Sequence, residues 1–167
     1  MRAGHGPLWR SPRLRGALVA AGIASALSTG CSRGEPGTYV PGLGEIMTAT
    51  QMRHAKLWLA GQAGNWDLAA YEIHELEEGF HDVVEFHPTH RNTDLPLRDL
   101  VPLKVDEPLR ELSRAVDAHD EGGFTRAFDS LTAACNSCHQ ATSFGFNVVT
   151  RPTGNPFVNQ DFAAPGG

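Results

Sequence analysis

The 167-residue sequence predicts an all-α protein built on four helices. Three observations carry that reading. Apolar residues recur at steps of three and four through the middle of the chain, the period of a helix that buries one face. Asn, Asp, Gly and Pro gather between those runs, where helices start and stop. No strict apolar–polar alternation marks a strand before the C-terminal tail.

The first run, LGEIMTATQMRHAKLWLAGQAG from residue 43, sets Leu43, Met47, His54, Leu57, Trp58 and Gly61 on one stripe, with Gly61 and Gly64 expected to end it. Asn65 or Asp67 then caps a second helix with Trp66, Ala69, Ile73, Leu76, Phe80, Val83 and Val84 on its inner face. Its opposite face is expected to hold Glu72, Glu75, Glu78, Asp82 and Glu85 in solvent. Pro88, Pro96 and Pro102 make residues 88–104 read as a connection. A third helix is expected from a cap at Asp106, with Pro108 in its first turn and Leu109, Leu112 and Val116 buried. Asp120 caps a fourth, with Phe124, Ala127, Phe128, Leu131, Cys135 and Cys138 on one face. Residues 142–167 then form an irregular tail.

That fourth run ends in Cys135-Asn136-Ser137-Cys138-His139. A C-x-x-C pair alone suits a redox dithiol or half of a zinc site. The histidine directly after it makes the string C-x-x-C-H, the attachment signature of c-type haem. Two thiols bond the porphyrin vinyl groups and the adjacent imidazole reaches the iron. On a helix, Cys135, Cys138 and His139 project to the same side. One covalent haem c is therefore the expected cofactor.

Covalent haem attachment in bacteria takes place outside the cytoplasm, and the N-terminus fits export. Arg2, Arg10, Arg13 and Arg15 precede the uncharged run ALVAAGIASALSTG, which ends at Cys31. A basic segment, a short apolar run and small residues before a cut are the parts of a secretory signal; the run is too short for a comfortable transmembrane helix. LSTGC resembles a bacterial lipobox, in which Cys31 would be lipidated and become the N-terminus. Ser28 stands where that motif favours Leu, and a cut after Ala26 is the other option. Of the three cysteines, two serve the haem string and the odd one would carry lipid, which leaves none for a disulfide. Residues 1–30 read as the signal, 31–42 as a Gly/Pro-rich tether, and 43–141 as the domain. Loss of residues 1–30 removes four arginines and no acid, taking the net charge from −5 to about −9. An acidic surface argues against nucleic acid and against adsorption to anionic lipid. The expected location is the bacterial periplasm or cell envelope, lipid-anchored through Cys31.

Four amphipathic helices with C-x-x-C-H late in the fourth resemble the cytochrome c′ family of four-helix-bundle cytochromes. The resemblance covers residues 43–142. It implies an up-and-down bundle, thioether bonds at Cys135 and Cys138, and His139 as the proximal iron ligand. It also implies that the opposite haem face looks at the N-terminal part of the first helix. Met47, Gln51 and His54 lie on one face there. Met47 offers a thioether suited to low-spin haem, and His54, about 10 Å further along the helix, is the alternative ligand; no protein ligand at all is the third option. Gln51, Trp58, Phe128 and Arg151 are the expected pocket residues, Arg151 as a propionate partner.

His74, Glu78 and His81 share a face of the second helix and read as a solvated surface, as do the two histidines of HPTH. No G-x-S-x-G, P-loop or dinucleotide fingerprint is present, so no enzyme is predicted. The expected function is electron transfer by a monohaem c-type cytochrome. The alternative is a haem protein whose open distal face binds a small gas such as NO or CO, or performs peroxidase-like chemistry. The sequence names no redox partner and leaves a homodimer open.

Overall fold

In the computed structural model, residues 39–164 are described; the signal segment, Cys31 and most of the tether lie outside the described residues. Four helices make up the domain: α1 (Leu43–Gln62), α2 (Trp66–Phe86), α3 (Leu97–Asp117) and α4 (Glu121–Ala141). No strand occurs among the described residues. α1 packs along α2, α2 against α3 and α3 along α4, whereas the backbones of α1 and α4 come close at few points and meet through large side chains. The three-residue turns at 63–65 and 118–120 force their flanking helices antiparallel, so the chain runs up and down through a four-helix bundle.

The caps follow from residue chemistry. Asn65 accepts from the Leu68 amide at 3.2 Å and Asp120 from the Gly123 amide at 2.9 Å, each satisfying an amide that α2 or α4 leaves unpaired. α1, α3 and α4 all end in a Schellman turn: the amides of Asn65, Asp120 and Phe144 reach back to the carbonyls of Ala60, Ala115 and His139. The left-handed residue this turn requires is Gly64 (φ 65°) in one case, but His119 (φ 53°) and Ser143 (φ 66°) in the others.

Gly61 does not end α1. It is buried inside the helix, where a Cβ would overlap the ring of Phe124. Phe124 is the centre of the core's aromatic layer: Trp58, Trp66 and Phe128 lie 6.1, 6.0 and 6.1 Å from it by ring centroids. The close approach of α1 to this layer is what the glycine permits.

Two further expectations need correction. α3 begins ten residues earlier than the cap at Asp106 suggested, at Leu97, and runs through both Pro102 and Pro108. Each proline withholds one helical N–H, at a cost of about 3 kcal/mol in a helix interior. Against that, the added turns bury Leu97, Leu100, Val101 and Val105, at roughly 1.5–3 kcal/mol per large aliphatic side chain. Burial wins, and both prolines sit on the half-buried outer side of the helix. The second correction is Glu72, expected in solvent but only 1% exposed. It falls three residues after Ala69 and four before Leu76, so it faces α1, where Arg53 approaches it at 3.4 Å and bonds Glu75 at 2.6 Å. Burial holds the Glu72 carboxyl above its ordinary value, with the Arg53 charge opposing.

Past the Schellman turn at Ser143 the chain doubles back along α4 and α1. Asn136 and Asp129 of α4 bond the Val149 backbone and the Arg151 guanidinium. Lys56 of α1 lies over the Phe157 ring at 5.3 Å. At the far end of the bundle Asn65 donates to the carbonyls of Phe162 and Ala163, and Phe162 is buried in the core. The tail thus contacts both α1 and α4.

Candidate functional site

At the end of the bundle where α1 and α3 begin and α2 and α4 finish, the helices enclose a cavity of about 360 Å³. Each helix contributes apolar wall: Leu43 and Met47 from α1, Phe80 and Val83 from α2, Leu97, Val101 and Val105 from α3, and Cys135 and Cys138 from α4. Phe144 and Val149 of the tail complete it. The size and lining are those of a small-molecule or cofactor site, mostly apolar with a few placed polar groups.

Three of the polar groups are imidazoles, His54, His90 and His139, and their protons are assigned by their partners. His139, beside the two cysteines on α4, directs Nδ1 at the Asn147 carbonyl, 2.6 Å away. A carbonyl only accepts, so His139 donates from Nδ1 and its Nε2 keeps a lone pair. His54 is 2% exposed and lies 2.9 Å through Nε2 from the Thr132 hydroxyl. That hydroxyl donates its proton to the Phe128 carbonyl at 2.9 Å, so His54 donates from Nε2 and its lone pair sits at Nδ1, beside its own backbone. Burial pulls its pKa down to about 4. His90, from the connection between α2 and α3, accepts at Nδ1 from the Asn92 amide at 3.3 Å, which leaves the proton on Nε2. Of the three imidazoles on the cavity wall, only His139 is held with a free Nε2 lone pair.

Cys135 and Cys138 are free thiols. Burial, with Cys138 close by, pushes the Cys135 thiol up to about 12. The Cys138 thiol is raised as well, by burial, with Lys104 opposing. Redox dithiols work by the reverse shift, a depressed thiolate pKa in an electropositive and accessible place. This pair is protonated and faces an apolar cavity.

Most of the sequence-derived candidates meet here. Met47, Gln51 and His54 lie on the α1 wall facing the α4 wall of Cys135, Cys138 and His139; Gln51 is exposed at the rim. Trp58, Phe128 and Arg151 do not reach the cavity. Trp58 and Phe128 belong to the aromatic layer behind it, their rings 4.8 Å apart, with the His54 ring 4.4 Å from Phe128. Arg151 is bound bidentate to Asp129 and lies over Trp58 at 4.6 Å. Its position follows from the path of the tail, which no local pattern encodes.

His90, Asn136, Thr142, Asn147 and Val149 went unrecognised in the sequence. HPTH was the one available signal for His90. On the outer face of α2, His74 with Glu78 and His81 with Glu85 form exposed pairs at 3.4 and 3.6 Å.

No protein-family model, no curated protein and no solved structure matches the chain. The class is therefore defined by its own fold and site: a four-helix bundle with a C-x-x-C-H string opening onto an apolar cavity at one end.

Proposed function

We propose that this protein is a monohaem c-type cytochrome, resembling the cytochrome c′ bundles, that transfers electrons outside the cytoplasm. The observation that carries the reading is the state of His139. Beside two thiols one turn apart, its Nδ1 proton is committed to the Asn147 carbonyl and its Nε2 is free to bind metal. Metal-binding histidines are ordinarily held in this way. The donor set fits the group: two thiols for the vinyl carbons, one oriented imidazole for iron, and an apolar wall drawn from all four helices. When bound, haem supplies a one-electron iron couple. The chain's own residues would hold it covalently through Cys135 and Cys138, orient the His139 imidazole toward it and exclude water with Val83, Val101 and Val105.

Met47 is the proposed distal ligand. It lines the cavity near the start of α1, while the His54 Nε2 is already bonded to Thr132. Closure of that face favours electron transfer over gas binding. Export by residues 1–30 and lipid anchoring at Cys31 would place the protein at the outer face of a bacterial membrane. Among the described residues no helix is long and apolar enough to cross one.

The test is retention. Protein made with haem-maturation machinery keeps its haem through acid–acetone extraction, and the Cys135→Ala, Cys138→Ala double variant loses it. Release of all haem from the unsubstituted protein overturns the reading.

A further inference from the structure

We infer that Asn136, the first spacer residue inside the C-x-x-C-H string, is a positioning residue for the His139 imidazole: it clamps the returning tail so that the Asn147 carbonyl meets Nδ1. The inference deepens the cytochrome reading and takes from it the role of His139 as proximal ligand.

The clamp is two-handed. The Asn136 Nδ2 donates to the Val149 carbonyl at 2.9 Å, and the Val149 amide donates to the Asn136 Oδ1 at 2.8 Å. One side chain thereby pairs with both backbone groups of one residue, as a neighbouring strand would. The partners are one acceptor and one donor, which settles which way the amide points. Val149 is buried beneath the clamp, whereas Val148 before it is largely exposed.

The register follows from two periodicities. Asn136 and His139 are three residues apart on α4 and lie on one face, about 4.5 Å apart along its axis. Asn147 and Val149 are two residues apart on the tail, a span of at most about 7 Å when extended. Fixing Val149 on Asn136 therefore leaves the Asn147 carbonyl only a small region to occupy, and that region contains the His139 Nδ1. The tail is also tied on either side, by the Phe144 amide on the His139 carbonyl and by Arg151 on Asp129. Between those ties Asn147 and Val148 are exposed, and among the described residues the one further bond there is from the Asn147 amide to the Phe144 carbonyl within the turn itself.

Few side chains can replace Asn here. Alanine and serine cannot span both backbone groups, aspartate has no donor for the Val149 carbonyl, and glutamine is one methylene too long. A spacer position that the haem string leaves free is thus restricted by the tail of this chain. A donated Nδ1 proton fixes the tautomer and ring plane and makes the coordinating nitrogen more basic, which favours ferric over ferrous iron. Loss of the clamp moves the reduction potential upward.

The test compares the full-length protein with Asn136→Ala, and with Asn136→Asp as the milder change should the first not fold. Without haem, ring-nitrogen NMR reads the tautomer of His139 and hydrogen exchange reads the Val149 amide. With haem attached, potentiometry reads the iron. The expected result is exchange at Val149 at least about tenfold faster, as for an amide released from a buried bond, a fall in the Nδ1–H population of His139, and a potential shifted positive with haem still covalently bound. Faster exchange at Val149 with an unchanged His139 tautomer and unchanged potential reduces the clamp to a loop tie and overturns the inference. If the unsubstituted protein carries no haem, the cytochrome reading fails, and the tautomer measurement still decides whether Asn136 positions His139.

Discussion

His54 donates from Nε2 to the Thr132 hydroxyl at 2.9 Å, a side-chain hydrogen bond that joins the middle of α1 to α4 beside the aromatic packing of His54 and Trp58 on Phe128. The imidazole is buried, and its pKa is drawn down from 6.5 to about 4. Below pH 6.5 the unfolded chain takes up a proton that the folded chain refuses. The stabilisation is therefore complete above pH 6.5 and is lost progressively as the pH falls toward 4. At about 1.4 kcal/mol per pK unit the loss amounts to about 3 kcal/mol. Urea unfolding between pH 4 and 7 should show this decline in the unsubstituted protein and a flatter curve in His54→Gln. Parallel curves would remove His54 as the cause.

The Gly61–Phe124 contact predicts a cost that helix propensity would miss. Alanine in place of an exposed helical glycine stabilises by about 1 kcal/mol. Here the new methyl meets a fully buried ring with Trp58, Trp66 and Phe128 around it, and overpacking of this kind costs about 1–3 kcal/mol. Gly61→Ala should destabilise by about 2 kcal/mol. Introduced into a Phe124→Leu background, the same change should cost much less. Equal effects in both backgrounds would place the strain elsewhere.

Met47 decides the sixth coordination position. If its thioether closes the distal face, Met47→Ala should give a high-spin ferrous protein that binds CO quickly, and His54→Ala should leave the visible spectrum nearly unchanged. A high-spin form produced by His54→Ala alone would assign bis-histidine ligation. An unsubstituted protein already high-spin and quick to bind CO would favour the gas-binding alternative.

Anchoring rests on LSTGC. Cys31→Ser should move the cytochrome from the membrane fraction to the soluble fraction, since an acylated and diacylglyceryl-modified cysteine holds firmly and a free N-terminus does not. Fractionation after lysis reads this directly. Native protein already soluble would be explained by a cut after Ala26.

What the sequence determined by itself is what neighbours along the chain can encode. The helical periods of α1, α2 and α4, the caps at Asn65 and Asp120, and the Cys135–Cys138–His139 string are all local, so each was legible. α3 was not, because Pro102 and Pro108 are strong local signals against a helix. The burial of Leu97 through Val105 that outweighs them exists only once α2 and α4 are in place. Glu72 shows the same limit: its spacing puts it at the edge of a stripe, and only the approach of α1 with Arg53 makes that edge interior. The tertiary structure alone decided the tail's path, and with it the Asn147 carbonyl on His139, the Val149 wall of the cavity and the removal of Arg151 to Asp129 and Trp58. The hydrogen bonds among them join residues 8 to 22 positions apart across an irregular segment, and the contact of Arg151 with Trp58 reaches back to the first helix. No repeating period carries such information, which comes from where the surrounding helices leave room.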